Sequence, residues 1–224
     1  EIGMDRKGEI DYLSKIIKPD IGVITNISYA HAKNFNTLFD IAKAKSEIIF
    51  NIRKNGTIVL NRDDKFYDFF SKLANNHKLE IISFGKNKKS NVSLSKIKKS
   101  KKTSSLYINI NSKIYNFKIK NYLLPYLENI LASIAICKGF RIIDKIKSNF
   151  FLKYKIPDGR GNLKKIDIYH KKINIIDESY NSNPLSLNFS IKKFDNLKVN
   201  PNKKFILLGD MMELGKFSKK LHID

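Results

Sequence analysis

The sequence predicts an α/β protein. A mostly parallel sheet with helices and a small antiparallel β meander is expected first. The start of a second, Rossmann-like α/β domain is expected after it. Three observations predict this. In the first third, short apolar runs alternate with amphipathic stretches, the rhythm of parallel strands joined by helices. In the middle, residues 91–120 hold three short alternating segments separated by polar turns. Then the run Ile156-Pro157-Asp158-Gly159-Arg160-Gly161-Asn162 is rich in Pro and Gly, and strand-like and helix-like segments resume beyond it. The boundary is placed there, giving domains 1–157 and 158–224.

Each element has its own signal. Residues 9–17 are a short amphipathic helix closed by Pro19, because a proline pushes its predecessor out of the helical region. Residues 21–27 are an apolar strand. Residues 37–52 are a longer helix with the stripe Leu38, Ile41, Ala42, Ile48, Ile49 and Ile52. A strand over 56–60, a helix over 64–74 and a strand over 80–84, ended by Gly85, complete this part. The meander is 92–97, 105–110 and 113–119, with Asn111-Ser112 as one turn. The lysine run 98–102 is its exposed turn. Pro125 opens a helix over 126–140, and a further segment over 144–151 follows. Past the boundary, strands are expected over 164–169, 173–176 and 204–208, and a helix over 185–194.

At 224 residues, the chain allows one large domain or two smaller ones. Hydrophobic residues make up 42%, which excludes wholesale disorder. The net charge of +22, from 43 Lys+Arg against 21 Asp+Glu, suggests by itself a nucleic-acid or anionic-membrane partner. Two features argue against that. The only arginines are Arg6, Arg53, Arg62, Arg141 and Arg160, whereas nucleic-acid readers lean on Arg for bidentate contacts. The lysines also come with an excess of Ile and Asn, a drift toward AT-rich codons. A basic nucleic-acid-binding module is the alternative, and it predicts one Lys face with interleaved aromatics. Here the lysines are scattered over every segment, so the charge reads as solvated surface with no specific nucleic-acid partner.

The single cysteine, Cys137, excludes a disulfide framework and fits a reducing, cytoplasmic compartment. No apolar run approaches the roughly 20 residues of a membrane span, so no membrane insertion is expected. The first residue is Glu1 rather than Met, and no element closes at Asp224; a piece of a longer chain is expected.

Lys45 lies in the middle of the apolar stripe of the 37–52 helix, sharing a face with Leu38, Ile41, Ile48 and Ile52. Lys43 and Glu47 lie on the opposite side and are expected to form an ordinary i,i+4 pair. A buried lysine loses hydration and its pKa falls, and a neutral amine can react with carbon dioxide to give a carbamate. The same residue could instead snorkel to the surface. His31, just after the first strand, is placed either to bind a metal or to sit in solvent. Glu1 has no independent reading.

The run Asp177-Glu178-Ser179-Tyr180-Asn181-Ser182-Asn183-Pro184 is more specific. An apolar strand ends in two acids, a polar loop follows, and Asn183-Pro184 opens a helix as N-cap and first residue. Acids and amides at a strand's C-terminal end form a ligand crevice in α/β sheets.

Taken in order, these motifs resemble the Mur ligase family. The matching pieces are Glu1-Ile2-Gly3-Met4, the segment 25–31 ending at His31, the segment 41–48 around Lys45, and Leu60-Asn61-Arg62-Asp63-Asp64. Gly159-Arg160, the 177–184 run and Gly209-Asp210-Met211-Met212-Glu213-Leu214-Gly215 complete the set. The last two point to the branch that adds D-alanyl-D-alanine, and argue against a folylpolyglutamate synthase-like ligase.

The resemblance implies an ATPase-type first domain and an ATP-dependent amide ligase of peptidoglycan synthesis. That ligase, a cytoplasmic monomer, joins D-alanyl-D-alanine to UDP-N-acetylmuramoyl-tripeptide through an acyl phosphate. It implies that Glu1 and His31 bind Mg2+ and that Lys45, carbamylated, helps hold a second ion. It implies that Arg160 contacts the ATP γ-phosphate, that Asn129 holds the adenine, and that Asp177 and Glu178 serve the nucleotide, Glu178 on the ribose side. Tyr180, Asn181 and Asn183 would line the cleft between domains. Three departures from the family pattern stand out. The adenine helix reads Glu128-Asn129-Ile130-Leu131-Ala132, without the family's preceding His and second Asn. Gly161 follows Arg160 where the family has a bulkier residue. No phosphate loop of the form Gly-x-x-x-x-Gly-Lys-[Ser/Thr] occurs, so these residues alone are expected not to hydrolyse ATP.

Overall fold

A computed structural model describes residues 2–30 and 32–223. Strands β1 (Ile21–Ile24), β2 (Thr57–Asn61), β3 (Glu80–Gly85), β4 (Val92–Lys99), β5 (Thr103–Ile110) and β6 (Lys113–Lys120) lie side by side in that order in one sheet. The pairings from β1 to β4 are parallel, and those from β4 to β6 are antiparallel. The residue pattern explains the change of sense. All of β2 is buried, as a parallel strand covered on both faces must be. In β5 buried and half-buried residues alternate strictly, the mark of a strand with one face on the core.

Helices α1 (Glu9–Ile17), α2 (Leu38–Ser46), α3 (Tyr67–Asn76) and α4 (Leu127–Gly139) accompany this sheet. α4 packs on β1 to β4 and buries Leu127, Ile130, Leu131, Ala132, Ile134 and Ala135. With Ile58, Leu60, Ile82 and Phe84 from the strands these form the core, each such side chain contributing roughly 1.5–3 kcal/mol.

The helix expected over 37–52 divides. Thr37 and Asp40 close a capping box, with Asp40 N–H on Thr37 Oγ1 at 3.1 Å and Thr37 N–H on Asp40 Oδ2 at 3.0 Å. The helix is α as far as Ser46, then tightens into a 3-10 stretch, Glu47–Asn51. Two causes act there. Ser46 Oγ bonds back to the Lys43 carbonyl at 2.7 Å, and both Glu47 and Asn51 are drawn onto α1. The expected Lys43–Glu47 pair therefore does not form. Lys43 faces Asp40 at 3.7 Å, while Glu47 is 9% exposed and bonded to backbone amides of another helix. β1 is shorter than the apolar run, because the Ile27 N–H is taken by Asp64 Oδ2 at 2.9 Å instead of a strand.

Beyond residue 155, β7 (Asn162–Ile168) and β8 (Lys171–Asp177) form a two-stranded antiparallel hairpin rather than a strand–helix alternation. Its two-residue turn, Tyr169-His170, has φ of 49° and 61°, the handedness that matches strand twist. Helices α5 (Pro184–Asp195) and α6 (Ser218–Ile223) follow. The strand expected over 204–208 is absent: Phe205 is 85% and Leu207 100% exposed, and no strand lies beside them among the described residues. An apolar run becomes a strand only when a neighbour takes its amides.

The chain divides into two compact units, residues 1–27 with 35–154, and residues 28–34 with 155–224. Segment 28–34 groups with the second unit through the Lys33 N–H on the Glu213 carbonyl at 2.8 Å and through Tyr29 against Phe217 at 5.0 Å. Among the described residues, no helix is long and apolar enough to cross a membrane.

Candidate functional site

In the first unit the chemistry gathers at the C-terminal end of β1. Lys45 is half-buried on α2, and its Nζ donates to the Asn26 carbonyl at 3.2 Å. Burial lowers its pKa from the ordinary lysine value, and the Asp64 carboxylate opposes that shift in part. Asp64 is organised by two backbone amides, Ile27 at 2.9 Å on Oδ2 and Phe66 at 2.8 Å on Oδ1. One carboxylate thus joins the turn after β2 to the end of β1, beside the Lys45 amine. Asp64 lies in a motif visible in the sequence, but nothing in the sequence brings it to Lys45.

Asn129 lies exposed in the first turn of α4, with its carbonyl accepting Ser133 Oγ at 2.8 Å. Its neighbour Glu128 faces Lys86 at 3.5 Å. Ala132, where the family carries a second Asn, is 5% exposed and packed into the core.

In the second unit the 177–184 run is held in four places. Asp177 ends β8, and its carboxylate accepts Lys164 Nζ at 2.7 Å, Ser179 Oγ at 2.6 Å and Ser179 N–H at 3.1 Å. Those bonds, the Lys164 bond first, bring its pKa from 3.8 to about 2. Arg160 stacks its guanidinium over the Tyr180 ring at 4.3 Å. Gly159, with φ of 72°, lets Tyr180 N–H reach the Gly159 carbonyl at 3.0 Å, and a Cβ there would lie 2.9 Å from Tyr180 Cβ. Glu178 faces Lys193 at 3.8 Å. Asn183 caps α5, its Oδ1 accepting Ser186 N–H at 3.0 Å.

A cleft of about 60 Å³ is lined by Tyr29, Ala30, Asn181, Ser182, Asn183, Met212 and Glu213. Three motifs distant in sequence meet there. Sequence reasoning selected Asn181 and Asn183 but not Tyr29, Met212 or Glu213, although all lie in recognisable motifs. Glu213 has φ of 62°, a left-handed conformation uncommon for a residue with a side chain.

Glu1 and His31, the expected metal ligands, lie outside the described residues. Among the described residues no three His, Cys, Asp or Glu side chains gather into a metal site. Lys45, the third expected ligand, is described: its amine is half-buried and bonded to the Asn26 carbonyl.

Residues 1–137 match the Mur ligase middle domain. The UDP-N-acetylmuramoyl-tripeptide--D-alanyl-D-alanine ligase of Buchnera aphidicola (Acyrthosiphon pisum strain) is 32% identical over 99% of this chain and 48% of its own length. The enzyme of that name from Rickettsia prowazekii is 30% identical over the same shares. Among solved structures, MurF ligase from Thermotoga maritima in complex with ADP superposes with a TM-score of 0.81 at 27% identity, covering 99% of this chain and 49% of that one. The chain spans about half the length of these relatives.

Proposed function

The chain belongs to the Mur ligase family, and on that premise we propose that it is part of an ATP-dependent ligase. The reaction is the joining of D-alanyl-D-alanine to UDP-N-acetylmuramoyl-tripeptide in peptidoglycan precursor synthesis. Residues 1–157 belong to its central, ATP-binding domain and 158–224 to its C-terminal domain. The enzyme works in the cytoplasm as a monomer. The observation that carries the reading is the half-buried Lys45 amine at the C-terminal end of a parallel strand, the edge where α/β sheets bind ligands.

The tripeptide carboxylate attacks the γ-phosphorus of ATP, forming an acyl phosphate and releasing ADP. The D-alanyl-D-alanine amine then adds to the acyl carbon, and phosphate leaves from the tetrahedral intermediate. Phosphoryl transfer asks the protein for position and charge neutralisation rather than covalent chemistry. Glu1, His31 and the Lys45 carbamate would hold Mg2+, which when bound offsets negative charge on ATP and the incoming carboxylate. Arg160 adds a cation for the γ-phosphate, and its stacking on Tyr180 limits the conformations it must give up to reach it. Asn129 faces solvent at the start of α4, available to the adenine. Asp177 and Glu178 serve the nucleotide, and Tyr180, Asn181 and Asn183 belong to the same cofactor-binding set. Asp177 also shapes its own loop by fixing Ser179.

The test is an assay of the full-length protein for ADP release. Turnover should need both UDP-N-acetylmuramoyl-tripeptide and D-alanyl-D-alanine. Turnover with glutamate and a folate instead would replace this reading with a folylpolyglutamate synthase-like one.

A further inference from the structure

Residues 81–127 hold eleven lysines and no Asp, Glu, Arg or His. That stretch, which includes the meander, carries half of the net charge of +22. Lysines occur in every segment, but acids do not. The strand register decides where these lysines point. In β5 Ser104, Leu106, Ile108 and Ile110 are buried, so Thr103, Ser105, Tyr107 and Asn109 face outward. On β6, Lys120 pairs with Thr103, Lys118 with Ser105, Asn116 with Tyr107 and Ile114 with Asn109. On β4, a bulge shifts the register between Leu94 and Lys96. It sets Lys96 opposite Tyr107 and Lys98 opposite Ser105. Without it, both lysines would turn onto the face of Leu106 and Ser104, which are buried.

One outer face thus carries Lys96, Lys98, Lys118 and Lys120, all exposed, on flanking strands roughly 10 Å apart. Among the described residues none of the four is in an ion pair, whereas Lys86 and Lys113 face Glu128 and Asp144. Like charges gathered on one sheet face repel, a cost that an anionic partner removes.

We infer that this face docks on an acidic phospholipid surface, resting on the headgroup phosphates without inserting. Nucleic-acid sites combine arginine forks with open aromatic rings on which bases stack. This face has no arginine, and its Tyr107 ring is half-buried with Lys98 Nζ over it at 5.4 Å. Lysine ammonium groups are point charges, suited to a diffuse negative surface rather than to fixed bidentate geometry. Ile114, 53% exposed on the same face, adds apolar contact at the headgroup level. None of these residues belongs to the set proposed for the reaction.

The test is co-sedimentation of the full-length protein with vesicles. One set is phosphatidylglycerol and phosphatidylcholine in equal parts, the other phosphatidylcholine alone. Binding should appear with the first set only and weaken as salt is added. Lys96→Gln, Lys98→Gln, Lys118→Gln and Lys120→Gln together should lower affinity several hundredfold, at about fivefold per lysine. Lys98→Gln with Lys118→Gln carries the test if that variant does not fold, with a loss of about 25-fold. Lys54→Gln, Lys72→Gln, Lys78→Gln and Lys147→Gln together, four exposed lysines elsewhere in the same unit, are the control and should cost far less. An equal loss in the control would show a uniform coat of charge and overturn the docking face. Equal binding to both vesicle sets, or to neither, would also overturn it. Binding of duplex DNA or single-stranded RNA but not of the acidic vesicles, lost with the same four lysines, would assign the face to nucleic acid and overturn the lipid reading.

Discussion

Lys45 and Asn26 meet at 3.2 Å, the lysine amine donating to a backbone carbonyl just past the end of β1. The contact sets the half-buried amine at the C-terminal end of the parallel strand. Asp64 stands behind it, bonded to the Ile27 amide. Burial therefore favours the neutral form of the amine, while the Asp64 carboxylate favours its ammonium form.

Replacement of Lys45 tests which state matters. In the full-length enzyme Lys45→Ala should nearly abolish ADP release, and short carboxylates added to the assay should restore part of it. Lys45→Arg should fail as well, because a guanidinium does not take up carbon dioxide. Wild-type turnover by either variant would remove the carbamate from the mechanism.

Asp64→Ala leaves the Ile27 and Phe66 amides without their acceptor. A buried amide left unsatisfied costs about 1–3 kcal/mol, and the half-buried site puts the loss near the lower end. Asp64→Asn, which keeps an acceptor oxygen, should lose less. Urea unfolding of the three proteins checks the order.

Gly159→Ala places a side chain at φ of 72° and a Cβ 2.9 Å from Tyr180 Cβ. The left-handed backbone alone costs roughly 1–2 kcal/mol for a residue with a Cβ. Tyr180 must also shift, taking with it the face on which Arg160 stacks. The expected result is lower stability in urea and a larger rise in KM for ATP than for D-alanyl-D-alanine.

The Asp177 bonds give the second unit a pH dependence at the acid end. The folded carboxyl titrates at about 2, below its ordinary value of 3.8. Its contribution is therefore complete above the unfolded value and is lost as pH falls through the folded one. Asp177→Asn should lose less thermal stability than wild type between about pH 4 and about pH 2. Equal slopes would show that Lys164 and Ser179 do not stabilise the carboxylate.

Asn183→Ala removes the α5 cap and should destabilise the second unit by about 1 kcal/mol, while Asn183→Ser should restore most of it. Circular dichroism at 222 nm against temperature separates the two.

Local rules read well from the residues. The α1 bounds, the meander, the α5 cap at Asn183-Pro184 and the β2–α3–β3 order follow from period, turn chemistry and capping, which act over a few positions. Lys45 was legible for the same reason, since a helical stripe can be counted in one dimension. The second half of the 37–52 helix was not. Period alone gives Lys43 and Glu47 as neighbours, but a carboxylate beside free amides on α1 found a stronger partner than a solvated lysine. The apolar run 204–208 failed as a strand for a related reason, because pairing belongs to two segments and the run names only one.

By itself, then, the sequence determined the fold class, the order of the motifs and the residue types that could carry phosphoryl-transfer chemistry. Only the tertiary structure decided that Asp64 sits behind Lys45, that Glu47 caps α1, and that Tyr29, Asn183 and Glu213 share one cleft. Propensity and period are properties of neighbouring residues. The partner of a buried charge or an unpaired amide is settled by whichever group the folded chain brings within hydrogen-bond reach.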